Sequence, residues 1–406
     1  MSWLVAVLGL AFLVLIHEAG HFVIARVLGM RPRRFYIGFP PAIAKFTRSG
    51  IEYGIGAIPL GGYVKIPGMH RPAPSDLDVH FGPALREAPE LTGSVERMKR
   101  KLERGEFEPG PELAALETVL ESVELSPPAR NSAERGLSEL ADGVGADAYW
   151  RARTWKRVAV IFAGPGTNLL FTVVLLTIVF AFGVRVATQT VAEVSPGSPA
   201  DIAGLRAGDR IVGVDGKRLT EFEDLFTHIQ DSRGAVVRLE LKRKGAQREI
   251  SVAPTYYAGQ NWAIGFRPAA RWERYSLGEA VGLSLDRTWE VTKAIGNGMA
   301  RLVTSEGRRE ISSPVGITRV SNQAVETDFR VYLQLLAFIS LSLALLNLLP
   351  LLPLDGGHIA FSLVEGIRRR AVGREVYERV SIVGIALVLM LFFIGLSNDL
   401  GGRTPG

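Results

Sequence analysis

Four stretches of the chain stay apolar long enough to cross a bilayer, which takes ~20 residues: 3–25, 158–184, 331–349 and 380–396. Polar residues return between them in different textures. Residues 34–69 read as short strands and turns. Residues 51–58 (IEYGIGAI) alternate in part, and Pro59, Leu60, Gly61 and Gly62 turn the chain into a second short run. Aromatics and glycines there suit a β-hairpin on or dipping into the membrane; an ordinary cytoplasmic hairpin has the same periodicity. In residues 70–150 Pro, Glu and Arg dominate and apolar positions thin out, except at 113–125, which has the spacing of one amphipathic helix. This piece is expected to be an acidic, mostly exposed and partly disordered insertion. Residues 190–254 read as an α/β module: a helical stretch at 222–229, then strands at 236–243 and 247–252 joined by a turn at Lys244 and Gly245. Residues 277–302 are weakly amphipathic and too polar to span; they lie on the outer membrane surface or pack on the α/β module.

Charge orients the spans. Arg26, Arg31, Arg33 and Arg34 follow the first, Arg151, Arg153, Lys156 and Arg157 precede the second, and Arg368, Arg369, Arg370, Arg374 and Arg379 lie between the third and fourth. Basic flanks stay in the cytoplasm, which places both termini and the α/β module outside. A signal peptide at the start is disfavoured: the first span has no basic leader and no small-residue cleavage site after its core. The mean hydropathy of +0.18 and the net charge of +6 are explained by spans with basic flanks, and no Lys/Arg run with interleaved aromatics points to nucleic acid. The chain has no cysteine, which excludes disulfides, thiolate zinc sites, iron–sulfur clusters and cysteine nucleophiles.

The chemistry sits in the first span. His17, Glu18 and His21 form an HExxH motif. On a helix the two imidazoles share one face a turn apart, where they can hold zinc while Glu18 acts as general base to water. A charged group at the centre of a span costs roughly 2–3 kcal/mol on insertion scales, so such a cluster reads as functional. A catalytic zinc site needs a third protein ligand. Asp355, after the helix-breaking Pro350 and Pro353 and before Gly356 and Gly357, is the first candidate. The same Asp could instead cap the helix that begins near His358, and His358 is a weaker rival ligand. His70 and His80 read as surface histidines rather than a second metal site.

HEAGH in the first span together with NLLPLLPLDGG at 347–357 resembles the site-2 protease family of intramembrane zinc metalloproteases. The order of spans, basic loops and outer module resembles its bacterial branch that controls sigma factors. Residues 61–65 (GGYVK), 163–168 (AGPGTN) and 314–317 (PVGI) add to the likeness, which covers nearly the whole chain except 70–150. The SPA, AGL and GDRIVGVDG strings at 198–216 are similar to a bacterial, circularly permuted PDZ domain, a fold that binds peptides by strand addition or only gates access. The resemblance implies His17, His21 and Asp355 as zinc ligands and Glu18 as the base. It gives Asn347 a role in holding substrate backbone or supporting the transition state. It makes Gly61, Gly62, Tyr63, Val64 and Lys65 a membrane-associated β-loop that pairs with an unwound substrate. The implied substrate is a single-span membrane protein such as an anti-sigma factor, and the implied location is the bacterial inner membrane.

The expected fold is therefore a polytopic α-helical membrane protein of four transmembrane helices, with an inserted extracytoplasmic α/β PDZ domain and a membrane-associated β-hairpin. Its expected pieces are the first span (1–27), the β region (28–69), the insertion (70–155), the second span (156–185), the PDZ domain (186–268), an amphipathic helical region (269–329), the third span with its Asp–Gly motif (330–366), a basic loop (367–379), and the last span with a short tail (380–406). Expected partners are the substrate, the lipid bilayer and a peptide or protein tail at the PDZ domain. A catalytically silent PDZ scaffold and a zinc or proton transporter are the alternatives. The intact Glu18 counts against the first, and the scarcity of polar residues in the second and fourth spans against the other.

Overall fold

The computed structural model describes residues 2–108, 110–256, 261–301 and 313–400. Leu302 and the tail beyond 400 lie outside them. In chain order the elements are α1 (Ser2–Val27), β1 (Arg34–Arg48), β2 (Ile51–Lys65), α2 (Pro74–Glu87), α3 (Thr92–Glu103), α4 (Pro111–Ser122), α5 (Pro127–Val144), α6 (Thr154–Phe182), β3 (Val184–Val194), α7 (Pro199–Ile202), β4 (Arg210–Val214), β5 (Lys217–Arg218), α8 (Phe222–Asp231), β6 (Val237–Arg243), β7 (Ala246–Val252), β8 (Thr255–Tyr256), β9 (Trp262–Ala263), β10 (Phe266–Glu273), α9 (Leu277–Arg301), α10 (Pro314–Thr327), α11 (Phe329–Asn347), α12 (Asp355–Arg368) and α13 (Arg374–Leu400). Among the described residues four helices are long and apolar enough to cross a membrane: α1, α6, α11 and, within α13, Val376–Asp399. The chain divides into two compact units, one of residues 1–172, 318–327 and 335–392, the other of the remainder.

In the first unit, α1 buries Ala6, Leu13, His17, Gly20, His21 and Ala25, a single helical stripe. The segment after it is more than a hairpin. Arg34 to Ile37 are flanked on both sides, by Glu52 to Ile55 and by Gly62 to Lys65, and Ala42 to Arg48 pair with Gly56 to Ile51. Ile37 pairs with both Ile55 and Gly62, so β2 doubles back across the four residues that read as a turn. Gly62 to Lys65 thereby become an edge of this sheet.

The described residues of the insertion are mostly helical, where its composition suggested partial disorder. Residues 74–108 and 110–144 fold as α2 to α5 around a core of Leu77, Phe81, Leu91, Val95, Met98, Leu102, Leu116, Leu120, Leu140 and Val144. Pro74, Pro111 and Pro127 each stand in the first turn of a helix, where a missing N–H is harmless and a fixed φ helps. Each helix contributes only a short apolar stripe, but all the stripes point inward. The helices are also tied to the β region. Arg33 pairs with Asp142 at 2.7 Å and Asp147 at 3.0 Å, and Lys65 pairs with Asp142 at 2.8 Å. The Tyr149 and Trp150 amides donate to the carbonyls of Pro67 and Gly68. Tyr149, Ile66, Ala25 and Val160 share one small core.

The second unit holds a six-stranded sheet in the order β10-β3-β4-β6-β7, with β5 on β4. Along β6, Val237, Leu239 and Leu241 are buried while Arg238 and Lys242 face out, the period-two pattern of a half-buried strand. Lys244 (φ 48°) and Gly245 (φ 87°) form the β6–β7 turn at positive φ, as a two-residue hairpin requires. Buried Asp209 accepts two hydrogen bonds from the Arg243 guanidinium, at 2.7 Å each, and one from the Arg206 amide. These hold its carboxyl below the usual range, the Arg243 bonds first. Helix α9 ends at Arg301 among the described residues, and its Ser284 accepts from Thr177 of α6 at 2.9 Å.

The four-helix insertion yields a direct check. Phe81→Ala removes a fully buried ring, a loss of about 3–5 kcal/mol. Amide exchange in the full-length protein should then accelerate across residues 74–144 while α1 stays protected. Uniformly slow exchange would show that this core does not hold the four helices together.

Candidate metal centre

Helix periodicity brings His17 and His21 onto the face that α1 turns toward α6. Gly20 and Gly164 let the two helices approach closely. A Cβ on Gly20 would collide with the Ala163 carbonyl, and one on Gly164 with both imidazoles. Asp355 arrives from the opposite direction in sequence. Helix α11 ends at Asn347, the chain folds tightly through residues 348–354, and α12 starts at Asp355. Gly356 and Gly357 are needed for space: a Cβ on either would strike the main chain of that turn.

Asp355 is the first residue of α12, Leu354 is its N-cap, and no side chain caps the helix. The carboxylate instead lies 3.1 Å from His17 Nε2 and 3.4 Å from His21 Nε2, and the two Nε2 atoms are 3.3 Å apart. Tetrahedral zinc with bonds near 2.0–2.1 Å would space its ligand atoms by about 3.3 Å. Among the described residues this is the one group of three or more His, Asp or Glu side chains that could hold a metal ion.

The protonation pattern agrees with that spacing. His21 Nδ1 lies 2.9 Å from the Val160 carbonyl, an acceptor only. Nδ1 therefore carries the proton and Nε2 presents a lone pair. Asp355 Oδ2 is buried with no hydrogen-bond partner. One proton could bridge two of the three converging atoms; all three are satisfied by a cation. The residues fit zinc.

Glu18, next to His17 on α1, is partly exposed. It meets the sheet edge: a Cβ on Gly62 would lie 3.1 Å from Glu18 Cγ. The Lys65 carbonyl accepts from the Arg33 amide and so faces the sheet. Strand alternation then turns the main-chain groups of Val64 and Gly62 toward the open edge, and the Glu18 carboxylate interacts with the Val64 backbone. Tyr63 stacks on Tyr36, with 5.2 Å between ring centroids. Asn347 bonds back to the Leu343 carbonyl of its own helix at 3.0 Å. His358 is no member of the metal cluster; its Nδ1 meets the Tyr377 hydroxyl. His80 lies on α2 and pairs with Glu139 at 3.1 Å.

Sequence reasoning left Asn168 without a role. It is fully buried in α6, with its amide nitrogen 3.5 Å from His17 Nδ1 and its Oδ1 unpartnered. Turned by 180°, the amide gives Oδ1 to the His17 Nδ1 proton and satisfies both groups. That is the outer partner a metal-ligating histidine needs. Thr172 and Ser340 hydroxyls donate to the Asn168 carbonyl at 2.9 and 3.0 Å. The available signal was an asparagine in an apolar span, one turn after Gly164.

Comparison with known proteins gives the family. The model of Peptidase family M50 matches residues 5–391, and the chain belongs to that family. A protein of Mesorhizobium japonicum is 30% identical over 97% of this chain and 96% of its own length. One of Brucella suis is 29% identical over 96% and 93%. One of Oceanobacillus iheyensis, named zinc metalloprotease RasP, is 29% identical over 96% of each chain. The chain is thus a membrane-embedded metalloprotease whose cofactor is Zn2+. A silent scaffold and a transporter are set aside.

Two substitutions separate ligand from orienting partner. Asp355→Ala should abolish stoichiometric zinc in the purified protein. Asn168→Leu should weaken zinc affinity by roughly 10–100-fold, the effect typical of losing an outer-shell hydrogen bond. Metal content by mass spectrometry and chelator competition read both. Unchanged zinc in Asp355→Ala would return that residue to a structural role.

Proposed function

We propose that the protein hydrolyses peptide bonds within the transmembrane segments of single-span membrane proteins, of the anti-sigma-factor kind, as a step of regulated intramembrane proteolysis. The observation that carries this reading is the meeting of His17, His21 and Asp355 in apolar helices with Glu18 set against an open sheet edge. His17, His21 and Asp355 hold the metal. When bound, zinc polarises the scissile carbonyl and lowers the pKa of water. Glu18 takes the proton of the attacking water and passes it to the leaving amine. Asn168 and the Val160 carbonyl keep the imidazoles aimed.

A transmembrane helix hides its peptide bonds in its own hydrogen bonds, so the substrate must unwind before attack. Gly61, Gly62, Tyr63, Val64 and Lys65 offer the replacement: their outward main-chain groups pair with the extended substrate and lay it beside Glu18. Asn347 holds substrate backbone or supports the transition state.

Basic flanks put residues 28–155 and the α12–α13 loop in the cytoplasm of a bacterial inner membrane, with both termini and the β3–β10 module outside. That module acts as a PDZ domain, either filtering substrates by size or binding the tail of a trimmed one.

Cleavage in proteoliposomes tests the reading. A labelled single-span protein should be cut by the wild type, and Glu18→Gln or added chelator should each lower the rate at least about 100-fold, the lower range of a general-base contribution. Equal cleavage in all three conditions would refute it.

A further inference from the structure

Helix α9 carries three stripes along its length. Ala280, Ser284 and Thr288 are four apart and buried, so they share one face. Leu277, Val281, Leu285 and Trp289 form the stripe beside it, and all four are exposed, from 40% for Val281 to 71% for Leu277. Glu279, Asp286, Arg287 and Glu290 take the remaining side in exposed positions, where Arg287 pairs with Glu290 at 3.0 Å. An amphipathic helix of a water-soluble domain turns its apolar stripe to its own core. Here the protein covers the small residues, and the bulky apolar side chains are left open.

The place of α9 in its unit says what covers them. The chain carries no charge from Val158 to Val184, and Arg185 is the next charged residue. Directly after α6, Val184 of β3 pairs with Glu273 of β10, so the chain is back at the end of the span just before α9 begins. The Tyr275 amide donates to the Phe180 carbonyl at 3.3 Å, and the two rings meet edge to face. Ser284 Oγ lies 2.9 Å from Thr177 Oγ1. Thr177 stands five residues before Phe182, the end of α6, which is about 7.5 Å back along the span. Helix α9 therefore runs beside the last turns of a membrane span and not away from them. Val174, Ile178 and Phe182 of those turns are exposed as well, as apolar residues of a span facing hydrocarbon are. The Lys293 ammonium sits 5.9 Å from the centre of the Trp289 ring, an aromatic and a cation side by side as at a membrane–water boundary.

We propose that α9 is an interfacial helix whose Leu277, Val281, Leu285 and Trp289 lie in the lipid acyl chains of the leaflet at the C-terminal end of α6, continuous with the exposed apolar surface of that span. The charged side of the helix stays in water. The six-stranded sheet then has two attachments to the bilayer: β3 leaves directly from α6, and β10 leads directly into α9. The pairing of Val184 with Glu273 ties the two attachments together, so the sheet does not swing on a single strand. This placement depends on α6 spanning the bilayer and not on what the enzyme cleaves.

The full-length chain has no cysteine, so one introduced thiol carries one label. Val281→Cys and Leu285→Cys on the stripe, Asp286→Cys and Glu290→Cys on the charged side, and Ile178→Cys as a reference on α6 would each be labelled with an environment-sensitive fluorophore. Each would then be reconstituted into vesicles of phosphatidylethanolamine and phosphatidylglycerol. All five side chains are exposed, so the substitutions spare the packing; zinc content and helical circular dichroism equal to the wild type check each variant. An interfacial helix sinks its apolar face about 5–10 Å into the headgroup–acyl boundary. Lipids bearing a nitroxide high on the acyl chain should therefore quench the Val281 and Leu285 labels several-fold more than the Asp286 and Glu290 labels, and to an extent close to the Ile178 reference. Iodide in the buffer should give the reverse order. Equal iodide quenching at all four α9 positions would overturn the proposal, since the stripe would then stand in water. Protection of the Val281 and Leu285 labels from both quenchers would overturn it too, since protein would then cover the stripe; a disulfide-linked dimer of unlabelled Leu285→Cys would identify that cover as a second copy of the chain.

Discussion

Three lone pairs, two from imidazoles and one from a carboxylate, converge at 3.1–3.4 Å inside apolar helices. Without a cation that arrangement is repulsive, and in a low-dielectric setting the repulsion is poorly screened. Much of the surrounding structure serves to keep it in place. Close packing at Gly20 and Gly164 brings α1 onto α6. The Val160 carbonyl and Asn168 aim the rings. The tight turn before α12 delivers Asp355 from a distant part of the chain. Helix α6 is therefore the frame on which the segments carrying His17, His21 and Asp355 are organised, although it contributes no side chain to that cluster.

The same frame connects chemistry to recognition. The HExxH helix leads into the sheet whose edge returns to Glu18, and the edge leads into the ion-pair cluster of Arg33, Lys65, Asp142 and Asp147. Local order thus passes from His17 and His21, through a strand, to the inserted helices. An insertion fixed in this way is packed onto the β region, not a tethered appendage.

The spans, the HExxH triplet and the β6–β7 turn were legible because each rests on a local rule: length of apolar sequence, one-turn spacing, two residues at positive φ. The helical packing of the insertion was not legible for a physical reason. Residues such as Leu77, Phe81, Leu116 and Leu120 are few per helix, and three of the prolines that suggested disorder occupy first turns. Four weak stripes make a core only when they face one another, which composition does not record. The β region was underestimated likewise, since a strand that doubles back to flank β1 on both sides has the same periodicity as a hairpin.

The sequence by itself determined which helices are apolar enough to span and that any metal site must use His and carboxylate, because the chain has no cysteine. It also supplied Asp355 as a candidate while leaving a capping role open. Tertiary structure shows where that carboxylate goes: it makes no cap and lies 3.1 and 3.4 Å from two imidazoles that stand more than three hundred positions earlier. It also decided the places of Asn168 and Gly62, whose significance lies in what they touch. Spacing along a helix is a property of the chain, whereas convergence of groups from separate segments arises only when those segments pack.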